Sequence, residues 1–336
     1  MSRSQPSANG RDGSGARFAW LIGIAAPLSS LVVLIAVMSV IAGPEGFRTS
    51  RNWHTIIQST SVVAILAVAE TIVIIAGHID LAVGRVLALS GVLAATAMVD
   101  HGAGAGVGVA AALIGGACCG LGSGLLTAYG RMPAFIATLG MMGVANGLAL
   151  MAARDANISG LAPGFDALAV GHLFAAPGIA GVPYPLVLMA LAAGGVHLIL
   201  TRTAFGRRVY AAGGNPDAAR LSGVSLRRVT IWVFILSGFL SGFAAIIHVA
   251  RTGGGQPTAG VGLELQAIAA TVIGGTSLSG GSGGVVGTVI GAFLMAVIQN
   301  GCDLKGIHPH FQVMIIGSVI WLAALYDGFR RRSDAR

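Results

Sequence analysis

The segment Thr201–Thr230, TRTAFGRRVYAAGGNPDAARLSGVSLRRVT, decides the fold class of this 336-residue chain. It concentrates basic side chains between two long apolar segments, and Asp217 is its single acid. A basic segment between hydrophobic spans is typical of the cytoplasmic face of a protein that crosses the membrane several times. Its arginines are Arg202, Arg207, Arg208, Arg220, Arg227 and Arg228.

The composition supports the same fold class. Hydrophobic residues make up 55% of the chain and charged residues only 10%, whereas soluble domains are about a quarter charged. Most of the surface must therefore face lipid, and the 52 glycines favour helices that pack closely through small residues. The net charge of +8 is explained by topology, since no basic domain with interleaved aromatic residues indicates nucleic acid.

Spans of about 20 apolar residues predict an all-α, polytopic membrane protein of about ten transmembrane helices. We expect Val86–Val99, Leu265–Ser279 and Val285–Asn300 to be short or broken helices that line a pathway, because non-helical backbone inside a membrane must be shielded from lipid. The other predicted spans are Phe18–Gly43, Ile56–Ala76, Gly104–Ala128, Met132–Ala153, Tyr184–Thr201, Ile231–Ala250 and Pro309–Asp327.

The distribution of basic residues predicts the orientation. With the N-terminus inside, 15 of the 20 Lys and Arg residues fall on cytoplasmic segments, which places both termini in the cytoplasm. Residues 1–17 are predicted to be a disordered cytoplasmic tail, residues 18–327 a single transmembrane domain, and residues 328–336 a basic cytoplasmic tail. The longest external segment is Arg154–Pro183, which is rich in Pro and Gly and available to a soluble partner.

Three motifs point to a family. They are GHIDLAVGRVLALSG (Gly77–Gly91), AAGGNPDAARLSGV (Ala211–Val224) and ARTGGGQPTAGVGLELQAIAATVIGGTSLSGGSGG (Ala250–Gly284). In order and spacing they resemble the permeases of bacterial sugar ABC importers of the ribose/xylose/arabinose type, from about Asn52 to Asp327. The chain departs from the family pattern at Ala82, Arg85, Val224 and Gln266, where the family often has Ser, an uncharged residue, Ile and Asp.

The resemblance implies an inner-membrane subunit that is not an enzyme and binds no cofactor or metal. It would pair with a second permease subunit, as a homodimer or heterodimer, and take solute from a periplasmic binding protein. A cytoplasmic ATPase would use ATP and Mg²⁺ and dock on the coupling segment, residues 202–228. Consistent with a separate ATPase, the sequence has no G-x-x-x-x-G-K-[ST] motif and its single lysine is Lys305.

Within the coupling segment, Asn215-Pro216 predicts a turn and Asp217–Arg220 a short helix that Gly223 ends. The alternative interpretation is a solvated basic loop that only fixes topology. The predicted coupling residues are Gly206, Arg207, Gly213, Gly214, Asn215, Ala218, Ala219, Arg220 and Gly223.

Polar residues inside spans tend to face the interior, which yields candidates for the translocation pathway. The alternative for the segment Gln256–Gly284 is close helix packing through small residues, and for Asp80 it is a carboxylate that caps a turn. A bond to a neighbouring helix is the alternative for Asn146, Glu264, Gln266, Gln299 and Asn300. We interpret His248 as a satisfied interfacial histidine. The candidates are Asp80, Asn146, Gln256, Thr258, Glu264, Gln266, Gly275, Thr276, Ser277 and Asn300, with Gln299 beside them.

Three other functions compete with sugar import. Related permeases carry branched-chain amino acids, nucleosides or an autoinducer sugar, and a passive channel is a further alternative. The run Gly280–Gly283 matches the G-x-S-G pattern of rhomboid-type intramembrane serine proteases, but so short a match arises readily in a Gly/Ser-rich run. Cys302, Asp303, His308 and His310 do not have the spacing of a zinc site.

Overall fold

The computed structural model describes residues 13–43, 46–175 and 181–334. Two short antiparallel sheets join β1 (Ile158–Ser159) to β4 (Gly254–Gly255) and β2 (His172–Leu173) to β3 (Val182–Pro183). The helices are α1 (Gly13–Ile41), α2 (Ser50–Ile75), α3 (Val83–Val99), α4 (Ala105–Ala128), α5 (Ala134–Ala153), α6 (Ala167–Val170), α7 (Tyr184–Arg202), α8 (Ala204–Gly214), α9 (Pro216–Leu221), α10 (Leu226–Thr252), α11 (Leu263–Ile273), α12 (Val285–Leu304) and α13 (Pro309–Asp334).

The all-α, polytopic fold is confirmed, and each predicted span coincides with a helix. In the described part of the chain, α2, α4, α5, α7, α10 and α12 are long and apolar enough to cross a membrane. The other four predicted spans correspond to shorter apolar helical stretches, which are Pro27–Ile41, Val83–Val99, Leu263–Ile273 and His310–Leu322.

Several predicted boundaries differ from the structure. Helix α2 begins at Ser50 instead of Ile56, and α11 ends at Ile273, before the predicted Ser279. The span Val285–Asn300 was expected to be short, but α12 continues to Leu304 and has 20 residues. Helix α1 already begins at Gly13, inside the predicted tail, and residues 1–12 lie outside the described residues. Helix α13 continues to Asp334 through most of the predicted C-terminal tail.

Helix α2 forms the centre of the fold. Every residue from Thr60 to Ile75 is buried, beneath α7, α10, α11 and α12. Hydroxyl groups join three of these helices: the Thr71 and Thr288 hydroxyls are 2.7 Å apart, and Thr271 donates to the carbonyl oxygen of Ala67 at 2.9 Å. The apolar α2 is therefore fixed by both packing and buried hydrogen bonds.

Helices α4 and α10 pack backbone to backbone through glycines. A Cβ atom at Gly116 would overlap the carbonyl oxygen of Gly238, and a Cβ at Gly238 would overlap the carbonyl oxygen of Gly116. Gly120 lies equally close to the carbonyl oxygen of Phe234. This confirms the prediction that small residues bring the helices together.

The coupling segment is largely helical. The sequence predicted a loop with one short helix, whereas the structure has the 11-residue α8 in addition to α9. Both lie where α7 ends and α10 begins, beside the C-terminus of α2. We call this end of the molecule, which carries the arginines of residues 202–228, the basic end.

Candidate functional site

Helices α8 and α9 form a capped unit at the basic end. The Thr203 hydroxyl accepts a hydrogen bond from the Gly206 N–H at 3.1 Å, and Asn215 Oδ1 accepts one from the Ala218 N–H at 3.0 Å. Such caps satisfy N–H groups that have no partner inside the helix. Gly223, with φ +82°, follows α9 in the left-handed conformation that glycine favours after a helix end. The predicted short helix is thus present, one residue longer at each end.

The outer face of α9 carries an apolar side chain that sequence reasoning missed. Leu221 is 90% exposed, although it follows the exposed Arg220 on a short, well-capped helix. Covering a leucine side chain is worth about 1.5–3 kcal/mol. An exposed apolar side chain surrounded by basic and polar residues is suited to contact with another protein.

The predicted coupling residues fall into two groups. The first is exposed at the surface, and the second faces the rest of the protein. Arg207, Gly214, Asn215, Ala218, Arg220 and Gly223 are exposed, whereas Gly206 and Ala219 are buried and Gly213 is half-buried.

Gly213 belongs to a contact among four glycines and the end of α2, which we call the glycine junction (Ile75, Gly77, Gly213, Gly280 and Gly281). A Cβ atom at Gly213 would overlap the carbonyl oxygen of Ile75, and a Cβ at Gly280 would lie 3.0 Å from Cα of Gly77. The Gly281 N–H donates to the carbonyl oxygen of Ile75 at 2.9 Å. Close backbone approach of this kind requires glycine.

The glycine junction brings the three sequence motifs together. Gly77 begins the first motif, Gly213 lies in the second, and Gly280 and Gly281 lie in the third. A side-chain bond reinforces the contact, because the Tyr210 hydroxyl donates to the carbonyl oxygen of Gly283 at 2.9 Å. No local pattern indicates that these motifs meet, since helices separate them along the chain.

The chain from β4 through α11 crosses the fold as a segment whose first part is non-helical and whose second part is the helix α11. We call it the crossing segment. Beyond α10, a Cβ atom at Gly255 would meet Ala95, Gly91 and Val92, and Gly260 lies against Gly84 near the start of α3. The chain then becomes helical as α11. One half of this crossing is thus non-helical and shielded by α3, as predicted for a broken span.

A cavity of about 250 Å³ opens between α2, α10, α12 and this crossing segment. It lies away from the basic end, near the C-terminus of α10. Its volume is just below the lower limit of about 300 Å³ for ligand pockets. Its polar lining consists of Thr55, Ser59, His248, Arg251, Gln266, Gln299, Asn300 and Asp303.

The predicted pathway residues do not form one site. Of these candidates, Gln266 and Asn300 line the cavity, together with Gln299. Gln256 and Thr258 lie on the non-helical part of the crossing segment, and Glu264 on the first turn of α11. The remaining candidates lie elsewhere: Gly275, Thr276 and Ser277 follow α11 toward the glycine junction, Asp80 precedes α3, and Asn146 lies on α5, which does not line the cavity.

Asn300, Asp80 and Glu264 make side-chain hydrogen bonds within the fold. Asn300 and Asn52 exchange two side-chain hydrogen bonds of 3.0 and 2.8 Å, which join α12 to α2. Asp80 accepts from the Ala82 N–H at 2.9 Å and from the Ser237 hydroxyl at 2.8 Å, so it closes the turn that precedes α3 and bonds to α10. Glu264 accepts from the Gly262 N–H at 3.2 Å. For these residues the alternative interpretation, a structural bond, describes the geometry.

Several buried polar side chains have no hydrogen-bond partner among the described residues: Thr60, Glu70, Ser90, Thr96, His248 and Thr276. Both ring nitrogens of His248 are buried and unpaired at the cavity, so its prediction as a satisfied histidine was wrong. The Thr276 hydroxyl is also buried without a partner, beside Gly283. Within residues 13–43, 46–175 and 181–334, no three His, Cys, Asp or Glu residues are placed to hold a metal ion.

Comparisons with known proteins agree with the motifs. The family described as branched-chain amino acid transport system / permease component matches residues 52–324. The ribose import permease of Escherichia coli (strain K12) is 44% identical and covers 94% of this chain and 97% of its own length. The ribose import permease of Bacillus subtilis (strain 168) is 38% identical, with 90% and 91% coverage.

More distant relatives include the xylose transport system permease of Escherichia coli (strain K12), which is 32% identical and covers 85% of this chain and 87% of its own length. The L-arabinose permease of Azospirillum brasilense is 33% identical, with 89% and 86% coverage. No solved structure matches this chain. The chain therefore belongs to the permease family of ABC importers that includes these sugar permeases, and it is a multi-pass subunit of the inner membrane.

Proposed function

We propose that this chain, paired with a second permease subunit, forms the pathway through which an ATP-driven importer carries a monosaccharide. The observation that carries the proposal is the contact between the exposed α8–α9 unit and the segment that continues to the cavity. That contact joins a docking surface at one end of the fold to a polar cavity near the other.

The cavity lining suits a neutral, hydroxyl-rich solute. Thr55, Gln266 and Gln299 offer uncharged donors and acceptors. The charged residues of the lining already have neutral partners, since Arg251 donates to the Ser59 hydroxyl at 3.0 Å and Asp303 accepts from Gln312 at 2.8 Å. A sugar can exchange its bound water for such groups one hydrogen bond at a time.

The names of the relatives support the same solute class. Ribose, xylose and L-arabinose import are the activities printed for relatives that are 32–44% identical over most of this chain. The family description names branched-chain amino acids instead. The support for a sugar therefore comes from these relatives and from the uncharged polar groups of the lining.

ATP is handled by a separate subunit in this proposal. The exposed Leu221 and the arginines beside it provide the surface on which a cytoplasmic ATPase docks. The ATPase binds ATP and Mg²⁺, and this chain binds no cofactor. A periplasmic binding protein delivers the sugar at the opposite end of the molecule, where the cavity and residues 154–175 lie.

Transport by the reconstituted complex tests the proposal. The permease is purified with its ATPase, placed in vesicles with its binding protein, and supplied with ATP and labelled ribose, xylose, L-arabinose or leucine. We expect uptake of at least one sugar, dependent on ATP and absent for leucine. Uptake of leucine alone would assign the amino acid function, and sugar uptake without ATP would indicate a passive channel.

A further inference from the structure

The glycine junction places α8 in direct contact with the segment that connects α11 to α12. Gly213 of α8 touches the end of α2, and its neighbour Gly214 lies against Gly281, whose Cβ would approach Cα of Gly214 to 2.5 Å. The Tyr210 hydroxyl bond to the carbonyl oxygen of Gly283 spans the same contact.

Contacts between backbones transmit displacement better than contacts between flexible side chains. A long side chain can change rotamer and absorb a shift, whereas two backbones already at van der Waals distance cannot approach further. A movement of α8 must therefore move the segment Gly280–Gly283 or separate from it.

The segment Gly280–Gly283 belongs to the connection between α11 and α12, two helices that pack backbone to backbone as a hairpin. A Cβ atom at Gly274, which follows α11, would lie 2.5 Å from the backbone of Gly287 on α12, and Gly291 lies equally close to Ala270. Helices α11 and α12 are thus locked to each other just beyond the junction. Gln266 on α11 and Gln299 on α12 line the cavity, so this hairpin carries two of its walls.

We propose that Tyr210 and Gly213 are positioning residues that link ATPase-driven movement of the α8–α9 unit to the α11–α12 hairpin and so to the cavity. This inference rests on the proposed function. The docking surface lies on α9, on the outer side of the junction, so ATPase binding and the transmission of its movement depend on different residues.

Two substitutions test the link in the reconstituted complex. Gly213→Ala adds a Cβ that overlaps the carbonyl oxygen of Ile75 and so separates α8 from α2. Tyr210→Phe removes only the hydroxyl that bonds Gly283. The matched controls are Gly195→Ala on α7, whose Cβ would meet no described atom within 4 Å, and Tyr129→Phe, which keeps its ring beneath Arg227.

We expect both test variants to retain the ATPase and to hydrolyse ATP, while the ratio of sugar transported to ATP hydrolysed falls. A typical allosteric coupling free energy corresponds to a change of about fivefold or more. We expect the transport-to-hydrolysis ratio to fall by this amount in Gly213→Ala, and by a smaller, several-fold amount in Tyr210→Phe. The two controls should keep the wild-type ratio.

An unchanged ratio in both test variants would overturn the proposal. If Gly213→Ala fails to insert into the membrane, Tyr210→Phe alone decides. Loss of ATPase binding by both test variants would also overturn it, because the junction would then belong to the docking surface. Failure of the proposed function can be told apart from failure of this inference. In that case the wild-type protein itself would not retain the ATPase or would transport none of the sugars.

Discussion

At the scale of single residues, several polar groups inside the membrane join segments of the chain. Asn300 pairs with Asn52, Asp80 holds both α3 and α10, and the Thr71 and Thr288 hydroxyls meet. The sequence showed that these side chains had to be shielded from lipid. It could not show whether a water-filled pathway or another helix shields them, because that depends on partners distant in sequence.

The paired amides give the first prediction. Asn300→Ala leaves the buried Oδ1 of Asn52 without its hydrogen-bond donor, so we expect a loss of roughly 1–2 kcal/mol in the free energy of unfolding. The measurement is reversible unfolding of the purified permease in detergent. Asn146→Ala, at a half-buried position on α5, is the matched control and should change stability little.

The double variant Asn52→Ala/Asn300→Ala identifies the cause of this loss. If the two amides bond to each other, the double variant loses less free energy of unfolding than the two single variants together. Strictly additive effects would show that the pair contributes nothing, and would return Asn300 to the candidates that act only on solute.

At the scale of elements, apolar length and glycine content predicted most of the fold. The ten spans coincide with helices because about 20 apolar residues in lipid have few alternatives to a helix. Helix α8 was missed because its sequence, AFGRRVYAAGG, mixes charge with three glycines, which lowers intrinsic helix propensity. The Thr203 cap and the contact with Ile75 stabilise it in the fold.

The packing of α4 on α10 gives the second prediction. Gly238→Leu would force a side chain into the backbone of Gly116, so we expect the two helices to separate and little folded protein to be recovered. Gly143→Leu is the control, because a Cβ there meets no described atom within 4 Å. The measurement is the yield of monodisperse permease by size-exclusion chromatography. Equal yields would contradict close packing at this interface.

At the scale of the whole molecule, the order of the three motifs predicted the family but not the way the motifs meet. Gly77, Gly213 and Gly280 are far apart in sequence, and each glycine alone is compatible with a turn, a helix end or close packing. Only the tertiary fold places them at one junction. The cavity was missed in part for the same reason, since Arg251, His248 and Asp303 come from two helices whose relative position no local pattern gives.

The orientation of the molecule gives the third prediction. The distribution of 15 basic residues against 5 predicts that the basic end lies in the cytoplasm. After replacement of Cys118, Cys119 and Cys302, a cysteine introduced by Asp217→Cys or Ser225→Cys should react with a membrane-impermeant maleimide only in opened cells. Asp166→Cys should react in intact spheroplasts. The opposite pattern would reverse the orientation and exchange the faces assigned to the two partners.

The central claim is that an ATPase docked on α9 drives sugar through this chain, and the measurement that tests it most directly is ATP-dependent sugar uptake by complexes carrying Leu221 variants. Leu221→Asp places a charge on the apolar contact, so we predict loss of ATPase co-purification and a fall in uptake of about tenfold or more. Leu221→Met keeps the apolar contact and should retain both. Wild-type uptake and normal ATPase retention by Leu221→Asp would contradict the account.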